Sequence, residues 1–328
     1  MNKITILIPC YNKRDFLPRL FKNLSKQNDS NFNVLFLDDG SSDQSASMIA
    51  KFIQDKANYK AIFLEKNQGL SNARNTLISQ CSSEYFYFMD PDDLISKNAI
   101  KLFNAVVKQQ DFEIIYARYS LIFYRIPIIN FLSKLKWNNS SWKSPINFAA
   151  DNSPFIWNKV FQKQWFLDKG FRFIEGHIFE DIPISFVTMM MAAKTHYISN
   201  KTYKYDLNLK GLSKKPSLSR LEGIYANLNY LHTLIKTNNL TQTWNQVVEK
   251  FFFKNILVHL FFGLNAKFII KNFEKCEPIL KNLYKFFQKN NFESKMAKYS
   301  NRTTLMFNSA IKNYFKIKQL IFTGEYYE

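Results

Sequence analysis

Two runs of acids stand out for the chemistry they permit. Asp38-Asp39-Gly40-Ser41-Ser42-Asp43 closes one short apolar run, and Asp90-Pro91-Asp92-Asp93 closes another. Carboxylates crowded at the ends of apolar runs hold something cationic or accept hydrogen bonds from a sugar. A Glu180-Asp181 pair follows much later. Hard oxygen donors of this kind suit a divalent cation, and together they suggest a divalent-metal site for a nucleotide-linked substrate. Each group also has a plainer reading. Asp-Asp-Gly-Ser is a common turn closed by Asx hydrogen bonds. Asp90 to Asp93 can cap a helix beginning near Lys97, and Glu180-Asp181 can be first-turn acids favoured by a helix dipole. Recurrence at two strand ends favours the chemical reading.

The elements that must carry these acids follow from periodicity. Residues 34–37 and 85–89 are apolar runs too short for helices and bounded by turn formers, so each reads as a buried strand. Strand-like and helix-like stretches alternate at 4–9 and 16–26, 34–38 and 45–54, 61–64 and 70–79, 85–89 and 97–108. This alternation predicts an α/β fold with a mostly parallel sheet under flanking helices. Ligands of such sheets sit beyond the carboxyl ends of strands, where strand order reverses. Tyr11, Asn12 and both acidic clusters fall at that edge. Residues 122–153 break the rhythm and are expected to form an insertion facing an acceptor. Helices are then expected near 162–168 and from Glu180, a strand around Tyr197, and helix throughout beyond Lys210. The expected organisation is a catalytic domain over 1–215, with halves at 1–120 and 121–215, and a basic helical region over 216–328.

Bulk properties narrow the class. With 328 residues and 46% hydrophobic content, the chain can bury a large core and is not a disordered tail. Cys10, Cys81 and Cys276 are scattered without paired spacing, which argues against a disulfide scaffold or cysteine-metal cage and for a reducing, cytoplasmic setting. The basic-then-apolar start resembles a signal peptide, but its apolar run is short and Tyr11-Asn12-Lys13-Arg14-Asp15 follows with no small-residue cleavage site. A first strand is expected there. The formal net charge is +19, and residues 207–328 carry 19 basic against 7 acidic side chains. Such a surface attracts polyanions or anionic lipid.

In their order and spacing, Ile8-Pro9-Cys10-Tyr11-Asn12, Asp38 to Asp43, Asn67-Gln68-Gly69-Leu70-Ser71-Asn72-Ala73-Arg74-Asn75 and Met89 to Asp93 resemble the successive motifs of family 2 glycosyltransferases, inverting enzymes of the GT-A fold. The resemblance covers about residues 3–120 and extends over 155–215 through Trp157-Asn158-Lys159, Glu180-Asp181, Tyr203-Lys204-Tyr205 and Ser213. It implies a nucleotide diphosphate sugar donor, expected to be a UDP-hexose, bound near Pro9, Tyr11, Asn12, Asp38, Asp39, Gly69, Arg74 and Asp90. Pro9 and Tyr11 would wall the base, Asp39 would accept from the uracil edge, and Asp90 would lie near the ribose. Asp92, with Asp90 or Asp93, would hold Mn²⁺ or Mg²⁺ to stabilise the leaving diphosphate. Asp181 would be the general base, with Glu180 as the less favoured candidate.

The remaining features suggest partners. The basic stretch containing Lys210, Gly211, Ser213, Lys214 and Lys215 reads either as a solvated linker or as a loop closing on the diphosphate, with Lys214 in contact. In the tail, Phe251 to Phe253 and Phe268 to Ile270 alternate with lysines, and the longest apolar stretch falls short of the roughly 20 residues a spanning helix needs. Helices of this kind either pack on the catalytic domain or lie on an anionic membrane surface. The expected setting is therefore peripheral, on the inner face of the cell membrane, with a lipid or glycan acceptor and no nucleic acid. Two rivals stay open. A sugar nucleotidyltransferase shares the layout but needs a glycine-rich phosphate loop, which Pro9-Cys10-Tyr11-Asn12-Lys13 is not. A basic binding protein on an inactive fold would pair its basic residues with aromatic platforms. Trp157 reads equally as packing or as a sugar platform, and His177, His196, His232 and His259 receive no role.

Overall fold

A computed structural model describes residues 3–122, 144–145, 155–206, 217–244, 266–289, 315–319 and 322–323. Among these, eight strands form one sheet in the order β3-β2-β1-β4-β7-β6-β8-β5. The strands are β1 (Ile4–Cys10), β2 (Asn33–Asp38), β3 (Tyr59–Phe63), β4 (Tyr85–Phe88), β5 (Leu94–Ile95), β6 (Ile114–Ile122), β7 (Lys159–Gln162) and β8 (Thr195–Asp206). β1 is buried along its whole length, as a central parallel strand covered on both faces must be. The helices α1 (Leu17–Leu24), α2 (Ser45–Ile53), α3 (Leu70–Gln80) and α4 (Ala99–Val107) alternate with the first strands. α1 buries Leu17, Leu20 and Leu24, one stripe at helical spacing.

The chain runs outward from β1 through β2 to β3, then returns to lay β4 on the other side of β1, all in parallel. Strand order therefore reverses between β1 and β4, and the acidic clusters leave β2 and β4 beside this point. Register sharpens the placement: Cys10 pairs with Asp38, and Leu7 with Phe88. β7 enters antiparallel to both β4 and β6, and β6 runs parallel to β8 with irregular register around Arg118. The mostly parallel α/β fold predicted from the alternation is present. Three strands, β5, β6 and the four-residue β7, were not legible in it. β5 has only two residues, too few for a period, and β6 leads directly into the region where the rhythm fails.

The described residues fall into two compact units. One comprises Met1–Ser140, Phe155–Gly176 and Met191–Asn208, and the other Ser141–Pro154, His177–Met190 and Leu209–Glu328. The division differs from a single boundary near residue 215, because residues 177–190 join the C-terminal helices. That unit contains α6 (Asp181–Met191), α7 (Leu218–Thr237), α8 (Ala266–Lys271) and α9 (Phe273–Lys289), while α5 (Lys163–Asp168) belongs to the first. From Ile182 to Met189 every residue of α6 is buried, so this helix is a core element of its unit. Among the described residues, no helix is long and apolar enough to cross a membrane. The expected insertion at 122–153, apart from residues 122, 144 and 145, the basic stretch with Lys214, and the Phe-rich run at 251–262 lie outside the described residues.

Candidate active site

The first acidic cluster spends its carboxylates on backbone. Asp38, buried at 2% exposure, accepts from the Ser41 amide at 3.0 Å. Asp39 accepts from the Gln68 amide at 2.7 Å and the Gly69 amide at 2.9 Å. These are donors at the start of α3 that no intrahelical acceptor reaches, so Asp39 caps that helix from another element. Asp43 accepts from the Ser45 amide at 2.8 Å and the Arg14 amide at 3.1 Å. Burial opposes its charge, but the Ser45 and Arg14 hydrogen bonds win and hold its carboxyl below the usual range. Gly40 has φ +66°, and a Cβ there would stand 2.5 Å from the Lys66 backbone, so only glycine lets these two loops meet.

Asn12, at φ 52°, joins β1 to this loop. Its side-chain oxygen accepts from the Ser42 amide at 2.9 Å and its own amide donates to Ser41 Oγ at 2.9 Å. The next amide, Lys13 N–H, donates to Ser45 Oγ at 2.8 Å. The first cluster thus sets the paths of two segments: 12–14, which carries Lys13, and the start of α3, which carries Arg74.

Both cations point at the second cluster. Arg74, 2% exposed, places its guanidinium 3.3 Å from Asp90 Oδ1 and over the rings of Phe88 and Phe173. Lys13 Nζ lies 3.2 Å from Asp92 Oδ2. Asp93 differs from its neighbours: its oxygens accept from Tyr203 Oη and the Asp206 amide, both at 2.7 Å. The Tyr203 hydroxyl also accepts from the Asp90 amide at 3.1 Å. Arg19 donates to the Asp92 carbonyl and pairs with the Asp206 carboxylate at 2.8 Å. Asp93 therefore anchors the loop to the end of β8, and the exchangeable acids are Asp90 and Asp92.

Burial pushes the Asp90 carboxyl up, with Arg74 opposing and Asp92 adding to the rise. Asp93 is pushed well above the ordinary range by burial first and then by Asp92 and Asp90. Asp90 and Asp92 are hard oxygen donors close enough for one charge to act on the other, and donors of this kind fit a divalent cation. Among the described residues, no cluster of three or more His, Cys, Asp or Glu side chains forms a self-sufficient cage.

Other expected site residues take distinct places. Tyr11 is 44% exposed and presents a face to solvent, whereas Pro9 is buried within β1, paired with Leu37. Gly69, at φ +90°, starts α3 and offers its amide to Asp39. Trp157 is 2% exposed and stacks on Tyr203 with centroids 4.2 Å apart; it packs and is no open platform. Lys214 lies outside the described residues.

Glu180 and Asp181 stand in the second unit, and their surroundings there carry two features that spacing did not reveal. Phe179, immediately before them, has φ 67°, a strained value for an aromatic residue. Its ring lies 5.3 Å from the Arg220 guanidinium of α7. Gly223 on the same helix sits so close that a Cβ would be 2.7 Å from the Ile178 carbonyl oxygen, which also accepts from Asn227 Nδ2 at 2.9 Å. Helix α7 therefore shapes the turn that presents Glu180, 5% exposed, and Asp181 at the first position of α6.

Residues 5–172 match glycosyl transferase family 2. A processive diacylglycerol beta-glycosyltransferase of Mycoplasma pneumoniae is 30% identical over 308 residues, spanning 88% of this chain and 90% of the relative. The protein of the same name from Mycoplasma genitalium is 26% identical over 303 residues, spanning 88% and 89%. Among solved structures, Staphylococcus aureus TarS 1–349 in complex with UDP-GlcNAc matches with a TM-score of 0.71 at 18% identity, covering 99% of this chain and 93% of that one. This last likeness is one of fold.

Proposed function

Because this chain belongs to glycosyl transferase family 2, we propose that it transfers a hexose, with inversion, from a UDP-hexose to a hydroxyl of a diacylglycerol-type lipid. It is a hexosyltransferase of the GT-A fold. The carrying observation is the second acidic cluster, where Asp90 and Asp92 leave β4 at the reversal of strand order, each opposite a cation. The match to family 2 removes the nucleotidyltransferase rival.

Asp92 and Asp90 would hold Mn²⁺ or Mg²⁺, which when bound neutralises the departing diphosphate. Tyr11 offers its exposed ring to the base. Asp39, already holding the Gln68 and Gly69 amides, retains acceptor capacity for the base edge. Arg74, through its Nη2 contact to Asp90 Oδ1, keeps Asp90 oriented toward the donor. Asp181 takes the proton of the acceptor hydroxyl as the oxygen attacks the anomeric carbon from the face opposite the leaving group; Glu180 is the second candidate. One displacement converts an α-linked donor into a β-linked product without a covalent intermediate.

Two observations support the lipid acceptor. The relatives named for diacylglycerol align over 88% of this chain. The excess of basic residues over 207–328 suits an anionic bilayer, near which each lysine contributes about 1 kcal/mol, so a peripheral position on the inner membrane face is part of the proposal. The test offers purified protein UDP-glucose, UDP-galactose, UDP-GlcNAc and GDP-mannose with Mn²⁺ or Mg²⁺ and anionic vesicles containing diacylglycerol. UDP release matched by a β-glycosyl diacylglycerol is expected. Nucleotide release that requires a glycan acceptor, with no lipid product, overturns the lipid reading. Failure to sediment with the vesicles at low salt removes the membrane role. Unchanged donor affinity on replacing Lys214 and Lys215 by Ala removes Lys214 from the donor site.

A further inference from the structure

We propose that Lys13 is the resident counter-ion of the Asp92 carboxylate, which an incoming divalent cation must displace; this rests on the reading of Asp92 as an ion ligand. The ammonium lies 3.2 Å from Asp92 Oδ2, with both side chains about three-quarters shielded. It also acts on Asp90, whose upward shift the Lys13 charge opposes.

The position is built rather than incidental. The Lys13 amide donates to Ser45 Oγ, its carbonyl accepts from the Phe16 amide at 2.9 Å, and its ammonium lies 5.2 Å from the Phe16 ring. The flanking amides of Asn12 and Arg14 are tied to Ser41 and Asp43. Backbone on both sides of Lys13 is therefore fixed by the loop that follows β2, and the side chain is aimed across to the loop that follows β4.

An ammonium and a divalent ion repel each other and compete for the same oxygen. Without donor, ion binding must break the Lys13–Asp92 pair and leave the ammonium without that anion. When a diphosphate arrives it supplies a new anionic partner for the displaced ammonium, so ion and nucleotide should bind cooperatively through Lys13. The lysine would thus keep the ion affinity of the empty site low and raise it when the donor is present.

The test measures Mn²⁺ binding directly, by the loss of the free-ion electron paramagnetic resonance signal, with and without UDP. Lys13→Met should bind Mn²⁺ roughly fivefold more tightly than wild type in the absence of UDP, the scale of a partly exposed ion pair. The enhancement by UDP should shrink in the same variant. Lys13→Arg, which keeps the charge, should bind no more tightly than wild type. Thermal unfolding of each variant establishes that it is folded. Equal or weaker Mn²⁺ binding by folded Lys13→Met, while Asp92→Asn abolishes binding, overturns the counter-ion role and leaves the ion site standing. Wild-type Mn²⁺ binding by Asp92→Asn overturns both.

Discussion

The two acidic clusters contain the same residue type at equivalent places, the ends of the two parallel strands that flank β1, yet their partners differ in kind. After β2, Asp38, Asp39 and Asp43 face backbone amides. After β4, Asp90 and Asp92 face the side-chain cations of Arg74 and Lys13. An amide is part of the fold and does not leave, whereas a side-chain cation can be exchanged for an ion or a ligand. The carboxyl shifts differ as well: at Asp43 the hydrogen bonds outweigh burial and hold the group down, while at Asp90 burial prevails over Arg74 and pushes it up. The first cluster is scaffold for the segments that deliver cations to the second. Acid-rich motifs therefore divide into those that shape a site and those that carry its charge, and only the partners tell them apart.

The largest test of this division is Asp92→Asn. Transfer should fall about a thousandfold, the upper range for loss of one group stabilising transition-state charge, with Mn²⁺ binding lost and the melting temperature unchanged or raised, since a like charge beside Asp90 and Asp93 has gone. Asp39→Ala should show the converse. Leaving two amides at the start of α3 without their acceptor costs about 1–3 kcal/mol, read as a lower denaturation midpoint, while Mn²⁺ affinity in the folded protein stays near wild type. Equal destabilisation by the two variants would collapse the contrast.

A third acidic group, Glu180-Asp181, extends the comparison into the other unit, where α7 is the scaffold. Gly223→Ala forces apart α7 and the Ile178 backbone, so kcat should fall about tenfold, as misplacing a catalytic group does, with UDP affinity unchanged. Asp181→Asn should retain UDP binding and lose most transfer; full turnover by it removes Asp181 as the base. The smallest effect is expected from Asp43→Asn. A carboxyl held below its ordinary value of 3.8 contributes stability that is present above that value and lost as pH falls through the lowered one. The variant should therefore be slightly less stable at neutral pH and lose less stability than wild type below about pH 4; parallel acid limbs in thermal melts of the two would contradict the scaffold role.

Much of this was legible beforehand because parallel strands covered on both faces must be written as continuous apolar runs. The stretch at 34–37 falls in β2 and that at 85–89 covers β4 and one residue beyond it, and helices expected at 45–54 and 70–79 appear as α2 and α3. Other parts had no local signature. β5 is two residues pairing with Lys204 and Tyr203, so it exists only through a partner more than a hundred residues away. Nothing around Lys13 or Arg19 in the chain announces an aspartate as its neighbour, and Gly223 reads as an ordinary helical glycine until the Ile178 backbone is laid against it.

Residue order alone determined which chemical groups the protein owns and that they emerge at strand ends, because period and turn chemistry act over a few neighbours. Only the tertiary structure decided how the acids divide their work. Hydrogen bonds and ion pairs fall off within a few ångströms, and the amides and cations that claim each carboxylate come from 2 to 113 positions away along the chain.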